Sequence, residues 1–316
     1  MLYRTLGRTG QKVSLLSYGS GGPSQFGART GVDRAGRRRL IRRMLDLGVN
    51  LFDTAEGYGN SEEWLGDALQ GADRDSYLIA TKWGPPGTFR VGDEDNFTGL
   101  AESFERSLRR LKTDYIDVMQ FHGVNMTTYG AAVDRYYPIL KGLQEQGKLR
   151  FIGATFQLKA EPRHETAVHA LRSDPDLWDT IMLKYGFLNQ WAAKEVFPLA
   201  IEHGVGVLNM AAVRISLTRP QRSREVVARW KEEGLIGPDD LPDDGPFDWL
   251  IGDDADSVIS AGYKFGADHP AVSTVITGTS SIEHFEANAR SLEKPSLPRE
   301  HHERLVRLFG DSAEPD

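Results

Sequence analysis

A regular alternation of short apolar runs and amphipathic helical segments is the feature that most limits how this chain can fold. Most of the apolar runs are continuous, which is typical of parallel strands that are buried on both faces. Between them, apolar residues recur at helical spacing, most clearly at Leu100, Phe104 and Leu108. The eight runs that we interpret as strands are VSLLSYG from Val13, NLFDTA from Asn50, YLIATKW from Tyr77, YIDVMQFH from Tyr115, RFIGATF from Arg150, TIMLKYGF from Thr180, GVLNMAA from Gly206 and STVITGT from Ser273.

Eight strand–helix units in a chain of 316 residues predict an α/β fold, namely a (β/α)8 TIM barrel. A doubly wound parallel sheet is the alternative topology, because it is built from the same alternation of elements. No low-complexity linker divides the sequence, and we therefore expect one domain that spans residues 1–316.

Three stretches lie outside this alternation. Residues 1–12 have the pattern of a small N-terminal hairpin, which we expect to close the bottom of the barrel. Residues 214–256 are rich in Pro, Gly and Asp and follow the seventh strand, which predicts a long loop on the catalytic side. The sequence after Ser296 predicts a C-terminal helix over residues 299–309.

Composition argues against several classes of protein. Cysteine is absent, so disulfides and thiolate metal sites are excluded, and a cytoplasmic enzyme is the simplest interpretation. No apolar run approaches the roughly 18 residues that span a bilayer, so no membrane is expected as a partner. The net charge of −7 argues against general binding of nucleic acid. The sequence has no HExxH motif and no cluster of metal ligands, and we expect no metal site.

Four polar residues lie where the carboxyl ends of three consecutive strands are expected. Asp53 ends the second strand and Tyr58 follows in its loop, while Lys82 ends the third strand and His122 ends the fourth. A barrel enzyme has its active site at this rim. Taken singly, the aspartate could cap a helix, the lysine could extend its amine to solvent and the histidine could be a core residue. Their joint occurrence at one rim favours a shared site over these structural interpretations.

The chemistry of these side chains suits proton transfer to a carbonyl oxygen. A tyrosine has a pKa of about 10 and is a weak acid at neutral pH. A neighbouring lysine ammonium is expected to lower this pKa, and an aspartate would hold the lysine in place and charged. A histidine would orient the substrate oxygen or relay its proton. Because none of these groups is a strong nucleophile, the reaction needs a hydride donor, which indicates a nicotinamide.

The stretches around these residues resemble the aldo-keto reductase family. The resemblance rests on FDTAEGYGNSEEWLG, ATKWG, SLRRLKTDYIDVMQFHG, GKLRFIGAT and TGTSSIEHFEAN, and it covers the chain from strand one to helix eight. It implies a TIM barrel, an NAD(P)(H) cofactor and the interconversion of a carbonyl and an alcohol. The residues that match the family's catalytic tetrad by position are Asp53, Tyr58, Lys82 and His122.

The part of the site that would hold the nicotinamide departs from the family's common pattern. The family usually has a small hydroxyl residue and an asparagine after strand five to hold the carboxamide; here Thr155 matches, but Phe156 replaces the asparagine. Met182 stands where a strand-six glutamine is common. Met210, followed by Ala211, occupies the position of an aromatic ring that often stacks on the nicotinamide, and a thioether can also pack on a ring.

The segments that would hold the phosphates are closer to the family's pattern. Backbone and hydroxyl groups in the strand-eight loop suit a phosphate near a helix N-terminus. Ordinary capping of the helix by Ser280 or Ser281 is the alternative interpretation. The residues that we predict to contact the cofactor in these segments are Ser20 and Gly21 in the first βα loop, Gly278, Thr279 and Ser280 in the strand-eight loop, and His284 and Asn288 on the next helix.

The choice between NADP and NAD depends on a positive charge that this region lacks. The segment TGTSSIEHFEAN has no Lys or Arg to bind a 2′-phosphate, and His284 takes the position where the family usually has Arg. NAD is therefore favoured, unless a basic residue arrives from another loop, of which Arg214 is the nearest by chain position. These departures resemble the sugar-dehydrogenase-like branch of the family, similar to L-galactose dehydrogenases.

Taken together, these features predict an enzyme, an NAD(P)-dependent aldo-keto reductase that interconverts an aldehyde or ketone with an alcohol. Its partner would be a small carbonyl or sugar molecule. One alternative is a dehydrogenase that oxidises a sugar hemiacetal with NAD. An alternative of another class is a nucleotide-binding regulatory or sensor subunit on the same fold; the altered carboxamide site motivates it, and the intact tetrad argues against it. The substrate, the direction of the reaction and the oligomeric state stay open.

Overall fold

The computed structural model describes residues 1–85, 99–157, 159–294 and 296–314, and its central feature is a closed barrel of eight parallel strands. Each barrel strand pairs with the next along the chain, and the last pairs with the first. The predicted TIM barrel is thus confirmed, and the doubly wound alternative is wrong because the sheet closes on itself. The strands are β1 Tyr3–Thr5 and β2 Lys12–Ser14, which form an antiparallel hairpin, and the barrel strands β3 Leu16–Gly19, β4 Leu51–Asp53, β5 Leu78–Trp83, β6 Ile116–Val124, β7 Leu149–Phe156, β8 Thr180–Lys184, β9 Gly206–Met210 and β10 Val272–Thr277.

Helices surround the barrel and cover the outward faces of its strands. The C-terminal helix has the bounds that the sequence predicts, Arg299–Phe309. A π-helical segment, Ala132–Tyr136, joins two of the helices without a break. The α-helices are α1 Arg34–Asp46, α2 Ser61–Leu69, α3 Leu100–Leu111, α4 Tyr129–Ala131, α5 Tyr137–Glu145, α6 Glu165–Ser173, α7 Val196–Glu202, α8 Ile215–Thr218, α9 Pro220–Glu232, α10 Val258–Asp268, α11 Ile282–Ser291 and α12 Arg299–Phe309. Within the described ranges, none of the helices is both long and apolar enough to cross a bilayer.

The stretch after β9 differs from its prediction as a long loop, because α8 and α9 occupy residues 215–232. Pro220 begins α9, a position where its missing N–H costs nothing. Val226, Val227 and Trp230 then fall on one face of α9 and are buried. The Trp230 ring lies 5.1 Å from that of Phe309 on α12. The sequence analysis did not recognise this apolar face, because Pro, Gly and Asp dominate the composition of residues 214–256 as a whole.

Side chains alternate between the inside and the outside of the barrel along each strand, which produces an apolar layer inside the barrel and another between the strands and the helices. Inward-facing side chains form a small cluster inside the barrel, which includes Leu51, Leu78 and Leu208. Leu6 and Val13 from the N-terminal hairpin complete this cluster from below. A Cβ atom on Gly206 would lie 2.7 Å from the Leu6 side chain, so the hairpin packs directly against the start of β9. The expectation that the hairpin closes the bottom of the barrel is confirmed.

A buried carboxylate at the start of β6 ties three strands together. Asp117 is fully buried and accepts hydrogen bonds from Arg74 at 2.6 Å, from Arg150 at 2.7 Å and from the backbone N–H of Ile79 at 2.9 Å. A buried charge is tolerated only when it is paired and hydrogen-bonded in this way. The contacts join the N-terminal ends of β5, β6 and β7, which helps to fix the register of the barrel.

We expect Asp117→Ala to lower the free energy of unfolding by about 3 kcal/mol, because it removes the acceptor of the buried Ile79 N–H and the carboxylate that pairs with Arg74 and Arg150. Denaturant unfolding followed by circular dichroism would measure this change. Asp244→Ala is the matched control, since the Asp244 side chain is 90% exposed in its pair with Arg224. Equal, small effects of the two substitutions would contradict the assigned role of Asp117.

Candidate active site

The four predicted catalytic residues meet at the carboxyl end of the barrel because of strand alternation. Asp53 is the last residue of β4, and Lys82 and His122 lie near the ends of β5 and β6. Along each strand every second side chain points inward. Asp53 therefore points inward like Leu51, Lys82 like Ala80, and His122 like Gln120. Tyr58 comes from the loop between β4 and α2.

A buried ion pair forms the floor of this site. The Nζ of Lys82 donates to Oδ2 of Asp53 at 2.5 Å and to the backbone carbonyl of Thr54 at 2.7 Å. Only 1% of the Lys82 side chain is exposed. Burial alone would lower the pKa of Lys82, but the Asp53 carboxylate first, and the neighbouring Tyr58 oxygen second, raise it above its ordinary value. Lys82 is therefore an ammonium throughout the physiological pH range.

Tyr58 lies above this ion pair and beside His122. The Lys82 ammonium is 5.1 Å from the centroid of the Tyr58 ring, within the range of a cation–π contact. The Tyr58 hydroxyl lies 3.4 Å from Nε2 of His122, and the two rings meet edge to face with centroids 5.5 Å apart. The phenol, the imidazole and the ammonium are thus brought together at one rim of the barrel.

The charge states of these groups differ in one respect from the sequence-based expectation. Lys82 does act to lower the pKa of Tyr58, but burial raises that pKa by more, and the net shift is upward. The phenol is consequently protonated at neutral pH. Burial, together with the positive charge of Lys82, holds the pKa of His122 well below its ordinary value, so the imidazole is neutral. The site offers a protonated phenol next to a neutral imidazole.

The first βα loop holds the tetrad in place from the side. The backbone N–H of Ser20 donates to the Asp53 carbonyl at 2.9 Å, and its hydroxyl donates to Oγ1 of Thr54 at 2.9 Å. A Cβ atom on Gly21 would lie 2.1 Å from Cε2 of Tyr58. Only glycine permits the Tyr58 ring to occupy its position. The residues predicted as cofactor contacts in this loop therefore also contact the catalytic residues.

The predicted carboxamide side of the site is largely apolar. Thr155 is buried, and its Oγ1 accepts a hydrogen bond from the backbone N–H of Gly123 at 2.8 Å. Met182 belongs to the cluster inside the barrel, against which Met210 and Ile276 pack. Met210 and Ile276 are partly exposed and give the mouth an apolar wall, whereas Met182 lies buried beneath them.

The structure does not bring Phe156 to this wall. Phe156 belongs to the outer apolar cluster between the strands and the helices, and it is almost completely buried. The physical reason is alternation, since Thr155 next to it faces inward. The interpretation of Phe156 as a cofactor contact, which was based on its position in the sequence pattern, is not supported by this orientation.

The turn after β9 carries backbone strain. Ala211 has a φ of 62°, a left-handed conformation that residues with a Cβ rarely adopt. It lines a small recess at the ends of β8 and β9 together with Lys184 and Arg214. Strained residues of this kind often occur at functional sites, which agrees with the prediction for Ala211. Arg214, the candidate for a basic clamp, immediately precedes α8.

The strand-eight loop and α11 show the helix capping that was the alternative interpretation of the two serines. Ser281, and not Ser280, caps α11, because its hydroxyl accepts from the backbone N–H of His284 at 3.2 Å. The Ser280 hydroxyl is instead bonded to Oγ1 of Thr30 at 2.8 Å. Asn288 is buried and donates to Thr277 at 3.0 Å. His284 is exposed, and so is Gly278 at the end of β10, whereas Thr279 is partly buried.

The groups around the mouth fit a nicotinamide dinucleotide. Met210 and Ile276 offer an apolar surface to a flat ring, and the exposed backbone of Gly278 leads to the N-terminus of α11. Gly22 and Gly278 approach so closely that a Cβ atom on Gly278 would lie 3.2 Å from Cα of Gly22. Side chains at this point would fill the cradle.

The sequence reasoning missed Gln120, which donates to Oδ1 of Asp53 at 3.3 Å and is fully buried. The sequence could have predicted this residue, because a side chain two positions before His122 on a strand points to the same face as His122. It also missed Lys184, a buried inward-facing residue that donates to the carbonyl of Glu314 at 2.7 Å. The latter contact depends on the C-terminal tail, which spacing within β8 could not reveal.

Comparison with known proteins agrees with this geometry. A model of the aldo/keto reductase family matches residues 18–308. The chain belongs to the aldo/keto reductase family. It is therefore an oxidoreductase, and members of this family use nicotinamide cofactors. In the described part of the chain, no group of three or more His, Asp or Glu side chains is arranged to hold a metal ion.

Three proteins illustrate the relationship. L-Galactose dehydrogenase of Arabidopsis thaliana is 26% identical over 310 residues, which cover 92% of this chain and 87% of the relative. NADH-specific methylglyoxal reductase of Escherichia coli K12 is 31% identical over 219 residues, which cover 64% of each chain. The holo form of an aldo-keto reductase from Bacillus halodurans has a TM-score of 0.69 and 26% identity, and the match covers 100% of this chain and 97% of that one.

The contact between Gly21 and Tyr58 yields a test of the site's geometry. We expect Gly21→Ala to displace the Tyr58 ring and to lower kcat on the order of 10²-fold, the usual cost of a misplacement of about 1 Å. Gly57→Ala is the control, because a Cβ atom on Gly57 would meet nothing within 4 Å. Steady-state kinetics and thermal melting of both variants would separate misplacement from unfolding. Full activity of Gly21→Ala would contradict the contact.

Proposed function

We propose that this aldo-keto reductase interconverts a small aldehyde or ketone with its alcohol, with Tyr58 as the proton donor. The observation that supports this most strongly is the joint position of the Tyr58 hydroxyl, the His122 imidazole and the Lys82 ammonium at one rim of the barrel. A carbonyl oxygen that approaches Tyr58 meets a protonated phenol within a largely buried site. Negative charge that develops on this oxygen during reduction is stabilised by such a donor.

The cofactor supplies the hydride in reduction and accepts it in oxidation. Lys82 stabilises the phenolate that remains when Tyr58 has given up its proton, because its charge lies close to the ring and is little screened. Asp53 holds this ammonium in place through their 2.5 Å contact. Neutral His122 offers a ring nitrogen to orient the carbonyl oxygen or the hydroxyl proton of Tyr58. In the oxidation direction the same phenolate accepts the proton of the alcohol.

The proposed donor role of Tyr58 is tested by removal of its hydroxyl alone. We expect Tyr58→Phe to lower kcat by about 10²- to 10⁴-fold, the usual contribution of a general acid, while NADH affinity stays nearly unchanged. Reduction of methylglyoxal, monitored by NADH absorbance, would measure the rate, and quenching of tryptophan fluorescence would measure the affinity. Tyr137→Phe, on helix α5, controls for loss of a phenol elsewhere. A Tyr58→Phe enzyme with most of its activity would remove Tyr58 from the mechanism.

Oxidation of a sugar hemiacetal is the second candidate, because the match to L-galactose dehydrogenase extends along 92% of the chain. The hydroxyl on the anomeric carbon would give its proton to the Tyr58 phenolate, and the C–H bond of the same carbon would give the hydride that the cofactor accepts, which leaves a lactone. Rates with a panel of aldoses and NAD, set against rates with short aldehydes and NADH, distinguish the two candidates. A higher kcat/KM for an aldose would assign the enzyme to sugar oxidation.

We further propose that the enzyme discriminates only weakly between NAD(H) and NADP(H), or prefers NAD(H). The dinucleotide would be held by Met210 and the backbone of residues 211–212 at one end, and by Gly278 and the N-terminus of α11 at the other. No lysine or arginine occurs between Gly278 and Asn288, and His284 is exposed. The similarity to an NADH-specific reductase supports the same choice.

Titration of the protein with each cofactor tests this choice. Charge-assisted hydrogen bonds to a 2′-phosphate contribute about 1.5–3 kcal/mol each, so a missing clamp should leave the two dissociation constants within about tenfold or favour NADH. NADPH binding more than tenfold tighter would contradict the proposal. In that event Arg214→Ala would show whether Arg214 is the clamp, because its removal would weaken NADPH selectively and leave NADH binding unchanged.

A further inference from the structure

Gln120 is a buried amide in the interior of the barrel, directly below the site. It lies on β6, two residues before His122, and its side chain is fully buried. Its Nε2 donates to Oδ1 of Asp53 at 3.3 Å, while the other carboxylate oxygen, Oδ2, accepts from Lys82 at 2.5 Å. The two oxygens of Asp53 are thus divided between an amide and an ammonium. No other orientation of the amide suits Asp53, because Oε1 would place a second acceptor against the carboxylate.

The opposite side of Gln120 is shaped by a glycine. Gly153 on β7 is in register with both Gln120 on β6 and Thr180 on β8. A Cβ atom on Gly153 would lie 2.3 Å from Oγ1 of Thr180 and 3.2 Å from Cγ of Gln120. Any larger residue at position 153 would therefore compete for the space of the Gln120 side chain. Gly153 makes room for Gln120 to reach Asp53.

Packing alone does not account for a glutamine at this position. Among the residues that the structure describes, neither the buried Oε1 of Gln120 nor the buried Oγ1 of Thr180 has a hydrogen-bond partner. A buried polar atom without a partner costs stability, whereas a methionine of similar volume would fill the same space without that cost. The amide thus costs stability, and the hydrogen bond that it makes within the described part of the chain is to Asp53. This points to a functional contribution through Asp53.

We propose that Gln120 is a positioning residue that keeps the Asp53 carboxylate ionised and directed at Lys82. Lys82 in turn keeps its position beside the Tyr58 ring. The inference rests on the proposed role of Tyr58 as proton donor, and it extends the site by one layer into the barrel.

The expected consequence is a change in the acid limb of the pH profile. Burial raises the pKa of Asp53, whereas Lys82 and the hydrogen bond from Gln120 lower it. Among the described residues, the titratable groups that act on Asp53 or are acted on by it are Lys82 on β5 and Tyr58 in its loop, and His122 on β6 lies beside the Tyr58 hydroxyl. Loss of the amide removes one of the two effects that oppose burial, so the pKa of Asp53 rises further. Because a protonated Asp53 no longer holds Lys82, activity should then be lost at a higher pH as the solution is acidified.

The test compares kcat as a function of pH for the wild type, Gln120→Met and Thr180→Val, with NADH and methylglyoxal. We expect Gln120→Met to lower kcat about tenfold at neutral pH and to move the acid limb upward by about one pH unit, with the NADH dissociation constant unchanged. Thr180→Val removes the neighbouring hydroxyl in the same layer and should leave the acid limb where it is. A merely structural role of Gln120 would lower the melting temperature without moving the limb.

Two outcomes would overturn the proposal. One is an unmoved acid limb in Gln120→Met, and the other is an equal shift in Thr180→Val, which would assign the effect to packing of the layer. Should Gln120→Met fail to fold, Gln120→Leu replaces it, because it also removes the amide that donates to Asp53, and the same upward shift of the acid limb is expected. The proposed function is tested separately by Tyr58→Phe. If that variant is active, Tyr58 is not the proton donor, whatever the pH profile of Gln120→Met.

Discussion

The ion pair between Lys82 and Asp53 is the interaction on which the rest of the site depends. Both charges lie inside the barrel, where each would be costly alone and where their attraction is little weakened by water. They come from neighbouring strands: the parallel pairing of β4 and β5 sets Asp53 level with Ala80, and Lys82 follows two residues later on the same inward face of β5. The closed barrel therefore fixes the position of the Lys82 ammonium, and this ammonium in turn contacts the Tyr58 ring.

The interior of the barrel changes from apolar to polar along its axis. Leu51, Leu78, Leu208 and the hairpin residue Leu6 fill the bottom with apolar side chains. The carboxyl end carries the ion pair of Lys82 and Asp53, with Gln120 beneath it. This gradient explains the state of the phenol. Burial favours the protonated form of Tyr58 more strongly than Lys82 favours the phenolate, so the phenol is protonated, which is the state that the proposed donor role requires.

Local patterns in the sequence predicted the parts of the molecule that depend on local spacing. The eight strands and helix α12 follow from apolar periodicity, and the four polar strand-end residues follow from the rule that parallel strands end at one rim. Helices α8 and α9 were missed because Pro, Gly and Asp around them dominated the composition of the stretch. Phe156 was misplaced because its position in the pattern says nothing about which face of β7 it occupies.

The sequence by itself determined the barrel, its hairpin and the identity of the four residues at its mouth, since these depend on the order and period of side chains along the chain. Only the tertiary structure decided which groups touch: the Gly21 backbone against Tyr58, Gln120 against Asp53, and Lys184 against the C-terminal tail. The first two contacts join different strands or loops, and the third spans 130 residues. The charge state of Tyr58 belongs with them, because burial is a property of everything packed around a group and not of its neighbours in the chain.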